Sequence, residues 1–253
     1  MKRRVALVTG ASRGLGEAIA RRLAREGLTV VLVARTEAGL ERVAEAIRAE
    51  DGLADVLVLD VTVREAVEAA IAHVLDRHGP VQVLVNNAGH NVRKKAGDLD
   101  LATWDALLAL DLTAPFHLAR LLYPGMKEAA FGRIVNVSSV SGLRALPTGV
   151  AYAVAKAGLI QMARNLGREW GPFGITVNAV APWYVRTPLT EALLDEADYL
   201  DAVLACTPAR RLGTPEDEAA AVAFLCRDEA GWINGVCLPL DGGMTASAFV
   251  SPP

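Results

Sequence analysis

The sequence predicts an α/β protein whose single domain is built on a doubly wound parallel sheet. Seven short apolar runs, rich in β-branched residues, alternate with longer helical patterns along the 253 residues. The apolar runs lack strict polar alternation, which is typical of strands that are buried on both faces. Regular alternation of strand and helix favours parallel strands joined by right-handed crossovers.

Taken in order, the strands and helices account for most of the chain. Strands are predicted at 4–9, 28–34, 54–59, 81–86, 132–138, 174–180 and 235–240. Helical periodicity runs through 14–26, 37–50, 63–78, 103–129, 151–170 and 215–227. No linker, low-complexity tract or repeat divides the chain, so one domain is predicted over 1–253. The region 183–214 breaks the rhythm with a long charged stretch, and such excursions are often lids.

Composition narrows the functional classes. The chain is 52% hydrophobic and 22% charged, as a packed globular protein is, and its net charge of -3 gives no basic field for nucleic acid or a membrane surface. Cys206, Cys226 and Cys237 form no C-x-x-C pattern, which indicates reduced thiols in a cytoplasmic protein. The four histidines show no metal-ligand spacing, and no segment approaches the ~18 apolar residues of a membrane span. Neither a metal, nor a membrane, nor a nucleic-acid partner is predicted.

A glycine-rich turn follows the first predicted strand and opens the first helix. It reads Thr-Gly-Ala-Ser-Arg-Gly-Leu-Gly over 9–16, with G-x-x-x-G-x-G spacing in place of the common G-x-G-x-x-G. Glycines at this turn let the backbone approach a pyrophosphate, which then lies at the positive end of the helix. Dinucleotide binding is therefore favoured over a plain glycine turn, with these cofactor-binding residues: Gly10, Ser12, Arg13, Gly14, Leu15 and Gly16.

The end of the second strand indicates which dinucleotide binds. An NAD site usually has an acidic residue here for the ribose hydroxyls, whereas this chain has Arg35 and no carboxylate. Arg35 and Arg13 offer two guanidinium groups where a 2′-phosphate would lie. The pattern favours NADP(H) over NAD(H); the alternative is a pair of solvated surface arginines.

Tyr152 and Lys156 lie one turn apart on a predicted helix, and Ser139 precedes the tyrosine by thirteen residues. A phenol ordinarily titrates near pH ~10, and a neighbouring ammonium favours the phenolate, which suits it to acid–base work closer to neutral pH. A hydroxyl such as that of Ser139 could hold the substrate oxygen. The tyrosine–lysine pair alone is weak evidence, because this spacing often recurs by chance.

With the glycine loop, Asn86-Asn87-Ala88-Gly89, Ser139 and Tyr152-x-x-x-Lys156 in one order, the sequence resembles the classical short-chain dehydrogenase/reductase family over essentially its whole length. The resemblance implies a Rossmann-type domain of about seven strands, a helical lid, and a homotetramer with the helices 103–129 and 151–170 at the subunit interface. It implies that Tyr152 is the acid–base, that Lys156 activates the phenol and holds the nicotinamide ribose, and that Ser139 orients the carbonyl. The cofactor then supplies the hydride.

The same resemblance implies further cofactor contacts. Asp60 would bind the adenine amine, Asn87 would lie along the cofactor, and Thr187 would hold the carboxamide together with the backbone near Val185. The remaining implied contacts are Val61, Ala88, Gly89 and Pro182.

Two positions depart from the family pattern. Asp111 stands where the family commonly has an asparagine that completes a proton relay from the lysine through water, so the resemblance groups Asp111 with the catalytic residues. Its charge could pair with Lys156 and weaken the effect of that lysine on Tyr152. Trp183 follows Pro182 where the family generally has a glycine. Its indole could form a wall near the nicotinamide or could pack as core, and both interpretations stay open.

Three stretches, 86–94, 181–189 and 241–246, look closer still to the tropinone reductase branch of the family. A branch does not transmit a substrate, which depends on the pocket itself. The candidate pocket residues are His90, Ser139, Val140, Leu143, Leu146, Trp183, Tyr184 and the lid segment 189–206. Several of them are apolar, which predicts a rather apolar pocket. Arg93-Lys94-Lys95 is interpreted as a solvated loop in preference to a site for an anionic substrate.

The leading hypothesis is therefore an NADP(H)-dependent ketone reductase that also runs as an alcohol dehydrogenase. A 3-oxoacyl-(acyl-carrier-protein) reductase is the alternative, with Arg93-Lys94-Lys95 and Arg120 as weak docking candidates for an acidic carrier. A sugar or polyol dehydrogenase is disfavoured by the apolar pocket. A cofactor-binding protein without turnover is disfavoured because Ser139, Tyr152 and Lys156 are all present.

Overall fold

The computed structural model describes residues 3–247 and has a seven-stranded parallel sheet as its middle layer, in the order β3-β2-β1-β4-β5-β6-β7. The strands are β1 (Val5–Thr9), β2 (Thr29–Ala34), β3 (Leu53–Val58), β4 (Val83–Asn86), β5 (Gly132–Val137), β6 (Ile175–Pro182) and β7 (Cys237–Leu240). The strand order reverses at β1, which pairs with both β2 and β4. Such a reversal opens a crevice at the carboxyl ends of the strands. The prediction of a doubly wound parallel sheet is confirmed.

Helices cover both faces of this sheet. They are α1 (Gly14–Arg25), α2 (Glu37–Arg48), α3 (Arg64–His78), α4 (Leu101–Leu108), α5 (Ala114–Glu128), α6 (Val150–Trp170), α7 (Glu191–Leu194), α8 (Ala197–Ala205) and α9 (Pro215–Leu225). Side chains alternate along each strand, so Leu7 joins the core under α3, α5 and α6, whereas Val8 joins the core under α1, α2 and α9. Full burial of each such side chain stabilises the fold by about 1.5–3 kcal/mol.

The helix predicted over 103–129 is interrupted. Between α4 and α5 the backbone forms a π-helical turn over Ala109–Thr113. The sequence contains a physical reason: Pro115 has no N–H, so the carbonyl of Asp111 loses the partner it would have in an α-helix. The wider turn leaves the Asp111 side chain completely buried. Single π-turns of this kind are frequent at functional sites.

The helical run Leu101–Glu128 also corrects one expectation. Its 28 residues are long and apolar enough to cross a membrane by length and composition, contrary to the prediction that no segment comes close. This helical run is apolar on average but not uninterrupted, because it mixes apolar residues with a few polar ones. In the fold its two halves pack against α6 and α3.

The region 183–214 lies between β6 and α9 and contains the short helices α7 and α8. A small apolar cluster holds it together, built around Tyr184, Leu194 and Val203. A parallel bridge between Val185 and Gly213 joins the start of the region to its end. This segment, called the lid below, returns to the sheet close to the point where it leaves it.

Candidate active site

A cavity of about 1260 Å³ lies at the carboxyl ends of the strands and extends under the lid. Its volume exceeds the range of about 300–1,000 Å³ that is usual for a single small ligand, so it has room for a dinucleotide and a substrate. Every residue that the sequence predicted for cofactor binding lines this cavity: Gly10, Ser12, Arg13, Gly14, Leu15, Gly16, Arg35, Asp60, Val61, Asn87, Ala88, Gly89, Tyr152, Lys156, Pro182, Val185 and Thr187.

The glycine loop is shaped by close backbone approaches. Gly10 has φ +66°, and a Cβ on Gly16 would lie 2.2 Å from the carbonyl oxygen of Gly10, so neither position accepts a side chain without distortion. Asn87 holds the loop from the neighbouring strand, because its Nδ2 donates to the carbonyls of Thr9 at 2.9 Å and Gly10 at 3.2 Å. Helix α1 begins at Gly14 without a side-chain cap. Its first N–H groups are therefore available to an anion.

Arg13 and Arg35 are exposed at this end of the cavity. Within residues 3–247 neither guanidinium makes a hydrogen bond or an ion pair. Asp60 lies nearby and accepts hydrogen bonds from the N–H and hydroxyl of Thr62, which lower the pKa of Asp60 with a smaller contribution from Arg35. Two unpaired cations beside a helix N-terminus form a site for a phosphate group.

Two adjacent serines at the end of β5 have different surroundings. Ser139 caps a short 3₁₀ turn: its Oγ accepts from the N–H of Ser141 at 3.1 Å and shares a hydrogen bond with the hydroxyl of Ser141 at 2.9 Å. Ser138 donates instead to the carbonyl oxygen of Lys156 at 2.7 Å. The hydroxyl of Ser138 thereby links β5 to α6. The hydroxyl of Ser139 instead lies beside the cavity, next to the hydroxyl of Ser141.

Lys156 is almost completely buried under Tyr152. Its Nζ lies 5.3 Å from the centroid of the tyrosine ring and donates to the carbonyl of Val137 at 3.1 Å. Burial acts to lower the pKa of Lys156, but the charges of Asp111 and Tyr152 outweigh it, so the pKa of Lys156 is raised. The ammonium is therefore kept protonated beside the phenol, with its charge in place for acid–base chemistry.

Asp111 forms an ion pair with Lys156: its Oδ1 lies 2.9 Å from Nζ, although the two atoms are not aligned for a hydrogen bond. The Oδ2 of Asp111 accepts a hydrogen bond from the N–H of His90 at 3.2 Å. The family resemblance grouped Asp111 with the catalytic residues. In the structure it is completely buried and does not line the cavity, so it can act only through Lys156. The π-helical turn causes this placement, since it carries the carboxylate beneath the site.

The substrate end of the cavity is lined by His90, Ser139, Leu146, Trp183 and Tyr184, and by Leu189, Thr190 and Leu193 of the lid. The placement of Leu143 and Val140 in the pocket was wrong. Val140 is fully buried and Leu143 packs against the sheet core, because the 3₁₀ turn after Ser139 directs both side chains inward.

Trp183 lines the cavity and also packs against the apolar cluster of the lid. Its ring lines the cavity and lies edge-on to Tyr184 at 4.6 Å, while its Nε1 donates to the hydroxyl of Thr207 at 3.0 Å. Sequence reasoning missed several polar residues of the lining, namely Asn91, Ser141 and Thr148. For these polar residues the one hint in the sequence was the neighbouring basic run 93–95, of which Arg93 lines the cavity.

The site combines a glycine loop at a reversal of strand order with a serine, a tyrosine and a buried lysine that line the same cavity. This combination defines a dinucleotide-dependent oxidoreductase. A family model described as enoyl-(acyl carrier protein) reductase matches residues 10–245. The chain belongs to the short-chain dehydrogenase/reductase family, as its sequence motifs indicated, and it is an oxidoreductase.

Three relatives illustrate the range of this similarity. A tropinone reductase homolog of Arabidopsis thaliana is 36% identical, covering 97% of this chain and 94% of the relative. The 3-oxoacyl-(acyl-carrier-protein) reductase of Vibrio cholerae is 40% identical, covering 95% and 97%. A crystal structure of gluconate 5-dehydrogenase from Burkholderia cenocepacia, in complex with NADP and tartrate, superposes with a TM-score of 0.93 at 34% identity, covering 98% and 97%.

Proposed function

We propose that the protein interconverts a ketone and a secondary alcohol with NADP(H). The observation that carries this proposal is the ammonium of Lys156, buried and 5.3 Å from the centroid of the Tyr152 ring, at a cavity that both residues share with Ser139. A phenol beside a permanent positive charge is suited to donate a proton to a forming alkoxide and to take it back in the reverse direction.

The residues at the other end of the cavity fit a dinucleotide with a 2′-phosphate. The glycine loop leaves space that a Cβ would fill, α1 presents uncapped N–H groups, and Arg13 and Arg35 have no carboxylate partner within residues 3–247. NADP is also the dinucleotide in the gluconate 5-dehydrogenase structure. We assign the adenine side to Asp60 and the nicotinamide side to Val185 and Thr187. The bound cofactor supplies or accepts the hydride.

In the direction of reduction, the hydroxyl of Ser139 donates a hydrogen bond to the substrate carbonyl and orients it. As the carbonyl carbon gains the hydride, the phenol of Tyr152 transfers its proton to the oxygen, and the product is a neutral alcohol. The charge of Lys156 stabilises the phenolate that remains, until solvent returns the proton. Oxidation of the alcohol follows the same steps in reverse.

A 3-oxoacyl-(acyl-carrier-protein) reductase is the second candidate, since the relative of that name from Vibrio cholerae is 40% identical over almost the whole chain. The two candidates differ in substrate, because one binds a small ketone and the other a thioester delivered by a protein. An acetoacetyl thioester of carrier protein assayed beside small ketones separates them.

We also infer a cytoplasmic homotetramer. The exposed apolar residues Phe116, Val150 and Val154 lie on α5 and α6, the helices that the family resemblance assigned to the subunit interface. Light scattering of the purified protein measures the assembly; a monomer at micromolar concentration would contradict the inference.

The experiment is a screen of NADPH oxidation with ketones, 3-oxoacyl thioesters and sugars, on the wild type and Tyr152→Phe. We expect at least one ketone to be reduced, and the variant to lose about 10²–10⁴-fold in kcat while it still binds NADPH. Tyr123→Phe is the matched control, because Tyr123 stacks on Trp170 at 4.6 Å and does not line the cavity. Wild-type turnover by Tyr152→Phe would overturn the proposed chemistry.

A further inference from the structure

Arg93 lies on the loop after β4 and lines the cavity together with Ser139 and Tyr152. Its Nη1 donates to the carbonyl of Pro147 at 3.1 Å and to the hydroxyl of Tyr199 at 3.2 Å. Its Nη2 donates to the hydroxyl of Tyr184 at 3.4 Å. All three acceptors are neutral, so these contacts fix the position of the guanidinium without balancing its charge.

Several other cations of the protein have a carboxylate partner. Arg42 pairs with Glu17, Arg186 with Asp195 and Arg211 with Asp217, and the lysine next to Arg93 pairs with Asp100. No carboxylate in residues 3–247 lies within ion-pair distance of Arg93. Burial acts to lower the pKa of Arg93, yet the hydrogen bonds to the two tyrosines raise it on balance, so the guanidinium keeps its charge.

The guanidinium of Arg93 also has N–H groups that are not used by these hydrogen bonds. It carries five N–H groups, and three are used by the hydrogen bonds to Pro147, Tyr199 and Tyr184. Nε–H and the second N–H of Nη2 remain, and these two nitrogens are joined through one carbon. Paired donors of this kind match the two oxygens of a carboxylate in a bidentate arrangement.

The surroundings of Arg93 contain a second group without a partner. Thr148 is only 7% exposed and lines the same cavity, and its Oγ1 has no hydrogen-bond partner among the residues that the structure describes. It directly follows Pro147, whose carbonyl holds Arg93. A buried hydroxyl without a partner is costly, and an oxygen of a bound substrate would satisfy it.

The charge of the cavity lining points the same way. Among residues 3–247 only one carboxylate, Asp60, lines the cavity, and it lies at the end of β3 beside the cofactor loop, hydrogen-bonded to Thr62. The substrate end contains Arg93 and His90, and none of its described residues is acidic. This end of the cavity therefore favours an anionic ligand over a neutral or cationic one.

We propose that the substrate is a keto acid, reduced to the corresponding hydroxy acid, and that Arg93 binds its carboxylate with the hydroxyl of Thr148 beside it. This inference rests on the proposed ketone–alcohol chemistry and names the class of its substrate. The lid takes part, because Tyr184 and Tyr199 hold the arginine from that segment. Arg93 is exposed like Lys94 and Lys95, as a solvated loop predicts, but of the three only Arg93 also lines the cavity.

The test compares each of three keto acids, levulinate, acetoacetate and ketogluconate, with its methyl ester, which keeps the ketone and removes the charge. In the wild type we expect kcat/KM for the best acid to exceed that for its ester by about ten- to hundredfold, which corresponds to a charge-assisted hydrogen-bond pair. Arg93→Gln should bring this ratio close to one, mainly through KM. Arg93→Lys should retain part of it, because the charge stays and the paired donors are lost.

Lys95→Gln is the matched control, since it removes the same charge from the same exposed loop outside the cavity. It should keep the ratio of acid to ester. Calorimetric titration of levulinate into the complex of protein and NADP⁺ gives a readout without turnover, and Arg93→Gln should weaken this binding by the same factor.

Equal losses for acid and ester in Arg93→Gln would assign the arginine to tethering the lid and overturn the inference. Reduction of neutral ketones without any preference for an acid would also overturn it, while the proposed ketone chemistry would stand. If neither ketones nor keto acids oxidise NADPH, the proposed function itself fails.

Discussion

The ammonium of Lys156 lies 2.9 Å from the carboxylate of Asp111, and the two side chains are 4% and 0% exposed. A buried ion pair costs desolvation that its attraction only partly repays, whereas removing one partner alone leaves an uncompensated charge and costs about 3–5 kcal/mol. The ammonium of this pair lies 5.3 Å from the centroid of the Tyr152 ring. The net field at the phenol therefore depends on a carboxylate that the cavity does not expose.

Asp111→Asn keeps the shape of the side chain and removes its charge. Lys156 then acts on Tyr152 without an opposing carboxylate, so the phenolate is favoured. We expect the rise of the alcohol-oxidation rate with pH to shift to lower pH by about half a unit to one unit. Asp105→Asn is the control, because Asp105 is exposed on α4. An unchanged profile in Asp111→Asn would show that the buried carboxylate does not tune the reaction.

Gly89→Ala tests how tightly this pair is enclosed. A Cβ at Gly89 would lie 2.6 Å from Asp111 Oδ1 and 3.1 Å from Lys156 Nζ. We expect the substitution to displace the pair, to lower the free energy of unfolding by about 1–3 kcal/mol, and to reduce kcat. Gly97→Ala, where a Cβ meets nothing within 4 Å, should change neither quantity appreciably. Chemical denaturation and steady-state kinetics measure both; wild-type behaviour of Gly89→Ala would contradict the packing argument.

Arg35→Ala tests the choice of cofactor. Removal of one phosphate-binding guanidinium should lower kcat/KM for NADPH by about ten- to hundredfold and leave kcat/KM for NADH nearly unchanged. Arg120→Ala on α5 removes the same charge from another exposed position and should keep the preference. The ratio of the two kcat/KM values is the measurement. A wild-type ratio in Arg35→Ala, or a preference of the wild type for NADH, would refute the NADP assignment.

Glu218→Gln tests a buried acid on α9. Glu218 is 2% exposed, and burial, helped by the charge of Asp217, raises its pKa from 4.5 to about 8. In this pH window the folded protein binds a proton that the unfolded chain has released, so its stability falls as pH rises from about 4.5 to about 8. Glu218→Gln should therefore raise the free energy of unfolding above pH 8, by at most about 5 kcal/mol, and should change it little near pH 4.5.

Thermal melts across this pH range measure the effect. Glu216→Gln is the control on the same turn of the helix, because Glu216 is exposed. A difference between Glu218→Gln and the wild type that does not depend on pH would contradict the burial argument.

The sequence by itself determined the sheet, the cofactor loop and the three residues Ser139, Tyr152 and Lys156. These features are local: a strand is recognisable because burial on both faces demands a short apolar run, and a glycine turn because only glycine permits its backbone approaches. Tyr152 and Lys156 lie one helix turn apart, so their spacing alone predicts that the two side chains are neighbours.

Tertiary structure decided the features that join distant segments. Arg93 meets Tyr199 across 106 positions of chain, and Asp111 meets Lys156 across forty-five, the latter through a π-helical turn that helical periodicity does not reveal. Leu143 shows the same limit, because a 3₁₀ turn directs it into the core and away from the pocket. Periodicity and spacing describe one element at a time, whereas the charge balance of a cavity depends on which loops meet above the sheet.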